Sequence, residues 1–228
     1  MAERSALITG GTGGLGGAVI AAFVAEGWRV VAPVRPGSTG DLPPGATRIE
    51  ADVTSEGDVA AAVSAAASDS SAPLRAVINL VGGYAGGGLV HETPIEDFEA
   101  MLRTNLRPTY LVTAAALPHV VAAGGGSVVC VSSRAAVSPF AGAAGYATSK
   151  AAVLAFANAV AVEYKAQGVR ANTVVPNVID TAQNRRAQPG ADTTKWVSPA
   201  EIAQVILFLA SDASTPTTGA AIPVYGRG

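Results

Sequence analysis

Near the start of the chain stands the run Ser5-Ala6-Leu7-Ile8-Thr9-Gly10-Gly11-Thr12-Gly13-Gly14-Leu15-Gly16-Gly17, and the predicted fold rests on it. The mostly apolar residues before the glycines predict a short buried strand, and those after them predict a helix to about Glu26. Glycines let the backbone turn sharply and approach a ligand closely. The amino end of the helix then offers unpaired N–H groups and a positive dipole end to a pyrophosphate. A glycine run can also be a flexible turn, but its place between a strand and a helix favours a dinucleotide site.

The rest of the chain continues to alternate between strand and helix patterns. Further strands are predicted at about 29–34, 47–51, 76–81, 127–132, 170–175 and 220–224, and helices at about 55–67, 94–122 (two in succession), 151–160 and 198–210. Because composition does not change along the chain, we expect one α/β domain over 1–228, a doubly wound Rossmann-type fold with a central parallel sheet of about seven strands. The polar segment 181–197 is expected to be a lid over the substrate.

Composition narrows the class of protein. Of the 228 residues, 49% are hydrophobic and 14% are charged, which suits a sheet buried on both faces. The net charge of −2 gives no indication of a nucleic acid or an anionic membrane as partner. Cys130 is the single cysteine, so a disulfide framework or a cysteine metal site within one chain is excluded, and we expect no metal. With neither a signal-peptide pattern nor a long apolar run, a cytoplasmic location is expected.

Ser133, Tyr146 and Lys150 form the second chemical feature. Ser133 follows a predicted strand, and ligands bind at the carboxyl ends of strands in open α/β sheets. Tyr146 and Lys150 are four residues apart at the start of a predicted helix, so both project from one face. A tyrosine has a pKa near ~10, which a neighbouring ammonium lowers, and a serine hydroxyl can hold a carbonyl oxygen. The alternative is a surface Tyr–Lys pair; the upstream serine and the glycine run favour a proton-transfer site.

Three further polar residues bear on ligand binding. The second predicted strand ends at Val34-Arg35, and no carboxylate follows until Asp41. An acidic residue at this point favours NAD and an arginine accommodates the 2′-phosphate of NADP, so we expect NADP, with NAD possible and a solvated loop charge as the alternative. Asp52 can accept from an adenine amino group or cap the helix that starts near Ser55. Asn105, inside a helical pattern, suits a packing role, a cap or a buried water.

Together these residues resemble the short-chain dehydrogenase/reductase family over essentially the whole chain. Thr9–Gly16 matches the family's TGxxxGxG loop, and Asp52-Val53 matches its adenine-contacting pair. Asn79–Gly82 stands where the family has NNAG and keeps only the first Asn and the Gly, while Pro176–Thr181 matches PGxxxT with asparagine in place of glycine. The family's catalytic set is matched in order and at similar spacing by Asn105, Ser133, Tyr146 and Lys150.

The resemblance implies a role for each residue. Tyr146 would protonate the substrate oxygen in reduction and deprotonate it in oxidation, while Lys150 would lower its pKa and bind the nicotinamide ribose. Ser133 would hold the substrate oxygen, and Asn105 would hold a water that relays protons to Lys150. The cofactor site implied by the same resemblance comprises Gly10, Thr12, Gly14, Leu15, Gly16, Arg35, Asp52, Val53, Asn79, Gly82, Tyr146, Lys150, Pro176, Ile179 and Thr181.

The function predicted on this basis is NADP(H)-dependent hydride transfer to or from a small carbonyl or alcohol substrate. The segment from Asp180 through Trp196 is also similar to quinonoid dihydropteridine reductases, but those enzymes typically favour NADH and lack the full Ser and Asn set. An alternative of another class is a non-catalytic dinucleotide-binding redox sensor, which the intact Ser–Tyr–Lys set disfavours. The resemblance also implies a homotetramer or dimer, with the Ala-rich stretches Thr113–Ala116 and Ala151–Ala161 suited to close packing between subunits.

Overall fold

A single seven-stranded sheet organises the fold. The computed structural model describes residues 3–227. All neighbouring strands are parallel, in the order β3-β2-β1-β4-β5-β6-β7. Their bounds are β1 Ser5–Ile8, β2 Arg29–Val34, β3 Ala46–Glu50, β4 Leu74–Asn79, β5 Gly126–Val131, β6 Val169–Pro176 and β7 Ala221–Val224. The order reverses between β1 and β4, which creates the crevice where such sheets bind ligands. The predicted α/β Rossmann-type sheet of about seven strands is confirmed.

Helices cover both faces of the sheet. They are α1 Gly16–Ala25, α2 Glu56–Ala67, α3 Ile95–Asn105, α4 Arg107–Ala122, α5 Ala144–Glu163, α6 Ala182–Ala187 and α7 Pro199–Ala210. Side chains alternate across the central strands: Leu7 and Val77 belong to the core under α2, α4 and α5, whereas Ile8 and Ile78 belong to the core under α1 and α7. The two cores account for the high apolar content.

Serines fix the starts of two helices. Ser198 accepts a hydrogen bond from the Glu201 amide at 3.2 Å, and the Glu201 carboxylate accepts from the Ser198 amide at 2.9 Å, a capping box with Pro199 in the first turn of α7. Ser55 accepts from the Asp58 amide at 3.5 Å at the start of α2. Since Ser55 is the cap, the interpretation of Asp52 as the cap of this helix is wrong.

The segment 181–197, which was predicted to be a lid over the substrate, has secondary structure of its own. It contains α6 and a short 3₁₀ turn at Thr193–Lys195. Its ends are joined at the base, because the Asp180 amide donates to Val197 O at 2.8 Å and the Val197 amide donates to Val178 O at 3.0 Å. Arg185 also pairs with Asp180 through both guanidinium branches. The segment is therefore a helix-containing loop whose two ends are hydrogen-bonded to each other.

Part of the surface predicted for subunit packing is used inside the chain. Thr113 and Ala116 on α4 are fully buried, and Ala157 and Ala161 on α5 are nearly so. These small residues let the helices lie close to the sheet, so they are unavailable to a second subunit. Other residues of the predicted stretches are exposed, namely Ala114 on α4 and Ala155 and Ala159 on α5. No helix within 3–227 combines the length and apolar character needed to cross a bilayer.

Candidate active site

The predicted site residues collect at the carboxyl edge of the sheet. Gly10 follows β1, Arg35 follows β2, Asp52 follows β3 and Ser133 follows β5. A cavity of about 790 Å³ opens here, lined in part by Gly10, Thr12, Arg35, Asp52 and Val53. A larger cleft of about 980 Å³ lies at the opposite edge, but its Arg170 is occupied with Leu209 O, Ser211 O and the Ser214 hydroxyl. Chemistry is therefore expected at the carboxyl edge.

The glycine-rich loop forms a tight cradle before α1. Gly10 has φ +72°, a conformation that favours glycine, and its carbonyl accepts from the Gly13 amide at 3.0 Å. A Cβ on Gly16 would overlap the Gly10 carbonyl, and one on Gly14 would lie 2.6 Å from Thr181 Cγ2. The amides of Gly14 and Leu15 have no hydrogen-bond partner within residues 3–227 and stand at the amino end of α1. This geometry fits a pyrophosphate.

Basic residues line the pocket where an adenosine would lie. Arg35 is exposed beside Asp52, and Arg103 and Arg107 line the same pocket. The Asp52 carboxylate accepts from the Thr54 amide at 2.9 Å and from its hydroxyl at 2.8 Å. These bonds, with a smaller contribution from Arg35, lower the pKa of Asp52 below its ordinary value, so the carboxylate stays ionised and ready to accept a hydrogen bond.

The loop that carries Arg35 is held in place from two sides. Arg48, on β3, donates to Gly40 O at 2.9 Å and to Ser38 O at 2.5 Å. A Cβ on Gly40 would lie 2.8 Å from Thr12 Cβ, so this loop also packs closely on the glycine-rich loop. Arg48 could not be identified from the sequence, because its partners are backbone carbonyls, which every residue carries, and no motif includes it.

The side chain of Asn79 points into the protein. It is 3% exposed, and its amide donates to the Thr113 hydroxyl at 3.0 Å and to Cys130 Sγ at 3.7 Å, which ties β4 to α4 and β5. Any contact of Asn79 with a cofactor would therefore use its backbone. Burial raises the pKa of the Cys130 thiol to about 12, so Cys130 belongs to the core, as predicted, and is no nucleophile. Residues 3–227 hold no group of His, Cys, Asp or Glu arranged to bind a metal.

Asn105 and Lys150 meet at Gly82. The Asn105 amide donates to Gly83 O at 3.1 Å and its Oδ1 accepts from the Gly83 amide at 2.9 Å. Lys150 Nζ donates to Val131 O at 3.1 Å. A Cβ on Gly82 would lie 2.6 Å from Asn105 Oδ1 and 2.8 Å from Lys150 Nζ, so only glycine leaves room for both. The structure thus brings together two members of the predicted catalytic set that are 45 positions apart in the sequence.

Tyr146 and Lys150 lie in the first two turns of α5, and burial dominates their electrostatics. Burial raises the pKa of Tyr146, while hydrogen bonding with the Ser133 hydroxyl opposes the rise. The direction is opposite to the lowering predicted from the Tyr–Lys spacing. The physical reason is the burial of Tyr146 itself. Lys150 is 6% exposed and donates to a backbone carbonyl, and burial lowers the pKa of Lys150 to about 8.

Two buried serines were missed by the sequence analysis. Ser149 donates to Tyr146 O at 2.7 Å and accepts from the Asn105 amide at 3.0 Å, which links the end of α3 to the start of α5. Ser132 donates to Lys150 O at 2.7 Å. Both adjoin predicted catalytic residues in the sequence, but serine is too common a residue for adjacency alone to indicate a role.

The segment after β6 closes the site from above the glycine-rich loop. Pro176 ends β6, and Ile179 forms a β-bridge with Val197. Thr181 caps α6 by accepting from the Asn184 amide at 3.1 Å, and its methyl group is the atom nearest to a Cβ on Gly14. Of the three predicted residues of this segment, Thr181 is therefore the one that contacts the glycine-rich loop.

Comparison with known proteins gives consistent matches over the whole chain. The model of the family described as short chain dehydrogenase matches residues 4–192. The 2-(R)-hydroxypropyl-CoM dehydrogenase of Xanthobacter autotrophicus is 33% identical, with 98% of each chain covered. The 3-oxoacyl-acyl-carrier-protein reductase MabA of Mycobacterium tuberculosis is 32% identical, with 98% of this chain and 92% of that protein covered. The solved structure of ElxO with NADP bound superposes with a TM-score of 0.88 at 26% identity, covering 98% of both chains.

Proposed function

Since the chain belongs to the short-chain dehydrogenase/reductase family and is an oxidoreductase, we propose that it transfers hydride between NADP(H) and a small carbonyl or alcohol substrate, with Tyr146 as general acid and base. The observation that carries this proposal is the convergence at Gly82. The Asn105 amide and the Lys150 ammonium meet there, one helical turn from Tyr146 and beside a glycine cradle suited to a dinucleotide.

The protein's part in this chemistry is binding, orientation and proton transfer. The bound nicotinamide supplies or accepts the hydride. The free amides of Gly14 and Leu15 would hold the pyrophosphate, and the Asp52 carboxylate would accept from the adenine amino group. Ile179 and Thr181 would fix the carboxamide end, which is supported by the contact of Thr181 with the glycine cradle at Gly14.

Tyr146 would donate its proton to the substrate oxygen in the reductive direction, while the Ser133 hydroxyl holds that oxygen. The raised pKa of Tyr146 keeps the phenol protonated at neutral pH, which is the form that reduction requires. Lys150 would return the proton, since its lowered pKa of about 8 makes it a ready donor, and Asn105 would position the water that supplies it. In the oxidative direction the same groups would accept the proton.

Arg35 supports NADP over NAD. It is the exposed cation that follows β2, in the pocket that also holds Ser38, Arg103 and Arg107. The NADP bound by the related ElxO is consistent with this choice.

The helix-containing loop 181–197 is proposed to cover the substrate. The hydrogen bond from the Asp180 amide to Val197 O joins the two ends of this loop. We further propose a homo-oligomer, dimer or tetramer.

A substrate panel tests the proposed reaction. NADPH and NADH oxidation would be followed with a simple ketone, a diketone, a quinone, an acetoacetyl thioester and a quinonoid dihydropterin. NADPH-dependent turnover of the carbonyl compounds is expected.

Quinonoid dihydropterin reduction is the second candidate function, and the sequence of the segment 180–196 favours it. Preferential turnover of the dihydropterin, especially with NADH, would indicate this function. Binding of NADPH without turnover of any compound would favour the redox sensor.

A further inference from the structure

Three aromatic rings stand in a row beside the proposed proton donor. The ring of Tyr84 meets that of Tyr146 edge-on, with centroids 5.1 Å apart and an interplanar angle of 87°. The ring of Phe140 lies 6.0 Å from that of Tyr84, at an interplanar angle of 47°. Tyr84 follows β4 and Phe140 follows β5, so the row is built by two loops from neighbouring strands at the carboxyl edge.

The two loops are fastened to each other. The Gly87 amide donates to Gly142 O at 2.9 Å. Gly87 has φ +136° and Gly142 has φ +79°, and a Cβ on Gly142 would lie 3.1 Å from the Gly87 backbone, so the close approach depends on glycine at both points. The hydrogen bond fixes the loops that carry Tyr84 and Phe140, and the two rings are held at a defined place next to Tyr146.

The exposure of these rings is not explained by the packing of the core. Tyr84 is 56% exposed and Phe140 is 55% exposed, although they contact each other and aromatic residues make up only 5% of the chain. Large apolar surfaces left open beside a site mark binding surfaces. Neither side chain carries a formal charge at neutral pH, so the surface they offer suits a flat, uncharged group. Aromatic rings bind other rings by offset or edge-to-face contact.

We propose that Tyr84 and Phe140 form a substrate wall that selects carbonyl compounds bearing an aromatic or conjugated planar group next to the reacting oxygen. This inference rests on the proposed function, since it takes Tyr146 as the proton donor. A planar group packed against these rings would lie next to Tyr146, because the ring of Tyr84 contacts that of Tyr146. The wall thereby contributes orientation of the substrate, while Ser133 and Tyr146 contribute the hydrogen bonds.

The test is a ratio of kcat/KM for two ketones of the same connectivity and similar size, 1-phenyl-1,2-propanedione with a planar ring and 1-cyclohexyl-1,2-propanedione with a puckered one, with NADPH. Replacing one ring contact is expected to lower the phenyl-to-cyclohexyl ratio by about 3- to 10-fold in Tyr84→Leu and in Phe140→Leu. Tyr84→Phe keeps the ring and should keep the ratio. Tyr110→Leu is the matched control, because Tyr110 is 54% exposed and its ring pairs with Phe156 on α4 and α5, away from the row.

The outcomes separate this inference from the function on which it rests. A ratio that stays unchanged in both leucine variants, with folding verified by thermal melting, overturns the wall, as does wild-type reduction of the cyclohexyl compound alone. A change of equal size in Tyr110→Leu also overturns it. Wild-type enzyme that oxidises NADPH with neither compound nor any carbonyl of the wider panel contradicts the proposed function.

Discussion

At the residue scale, the burial of Lys150 destabilises its charged form within the candidate site. Lys150 is the only charged residue that is buried within residues 3–227, and the single hydrogen bond of its side chain runs to Val131 O. Burial lowers its pKa from 10.5 to about 8. The folded protein therefore binds this proton less tightly than the unfolded chain does, and a group that resists its own charge is a ready proton donor.

Lys150→Met is predicted to change how stability depends on pH. The unfolded chain holds the lysine proton up to about pH 10.5, whereas the folded protein releases it near pH 8. The free energy of unfolding of the wild type, relative to that of the variant, should therefore rise by about 3 kcal/mol as pH increases from 8 to 10.5. Below pH 8 the lysine is charged in the folded protein, and the full cost of burying that charge is present. Urea unfolding of both proteins at pH 7 and pH 10 measures the difference, with the exposed Lys165→Met as control. A wild-type-minus-variant difference that is independent of pH would contradict the account.

The loop between β2 and β3 is the element on which we propose that the choice between NADP and NAD depends. Arg35 begins this loop, Arg48 fastens its carbonyls from β3, and Gly40 packs it against Thr12. The loop is thus linked to the glycine-rich cradle, so a phosphate held by Arg35 would have a fixed position relative to a pyrophosphate. Because the guanidinium is exposed, its contribution acts mainly through direct contact with the ligand.

Arg35→Asp is predicted to weaken NADPH binding and to relieve discrimination against NADH. A carboxylate would repel the 2′-phosphate and could accept hydrogen bonds from the 2′-hydroxyl of NADH. We expect the Kd ratio of NADPH to NADH, from fluorescence titration, to rise by about 100-fold, the size expected when a charge-assisted bond to phosphate becomes a repulsion. Lys165→Asp makes the same charge reversal at the opposite edge of the sheet and should leave the ratio unchanged. Tighter binding of NADH than NADPH by wild-type protein would show that Arg35 does not select the coenzyme.

At the scale of the whole molecule, the sequence predicted the features that depend on local pattern. Strands buried on both faces, such as β2 and β5, are short and nearly continuous apolar runs, and the Ser198-Pro199 start of α7 is a local cap. Features that depend on packing were missed or mistaken. The direction of the Tyr146 pKa shift follows from burial under neighbouring elements, the cap of α2 is Ser55 rather than Asp52, and the ring of Tyr84 meets Tyr146 only through the fold.

The central claim is that Tyr146 transfers the proton, and the most direct measurement is made on Tyr146→Phe. The variant removes one hydroxyl and keeps the ring that packs on Tyr84. The ketone reduction rate and the Kd of NADPH would be measured on the same preparation. We predict a loss of at least about 100-fold in kcat with NADPH affinity within about threefold of wild type, as expected for the loss of a general acid. Turnover at the wild-type rate would contradict the account and remove Tyr146 from the mechanism.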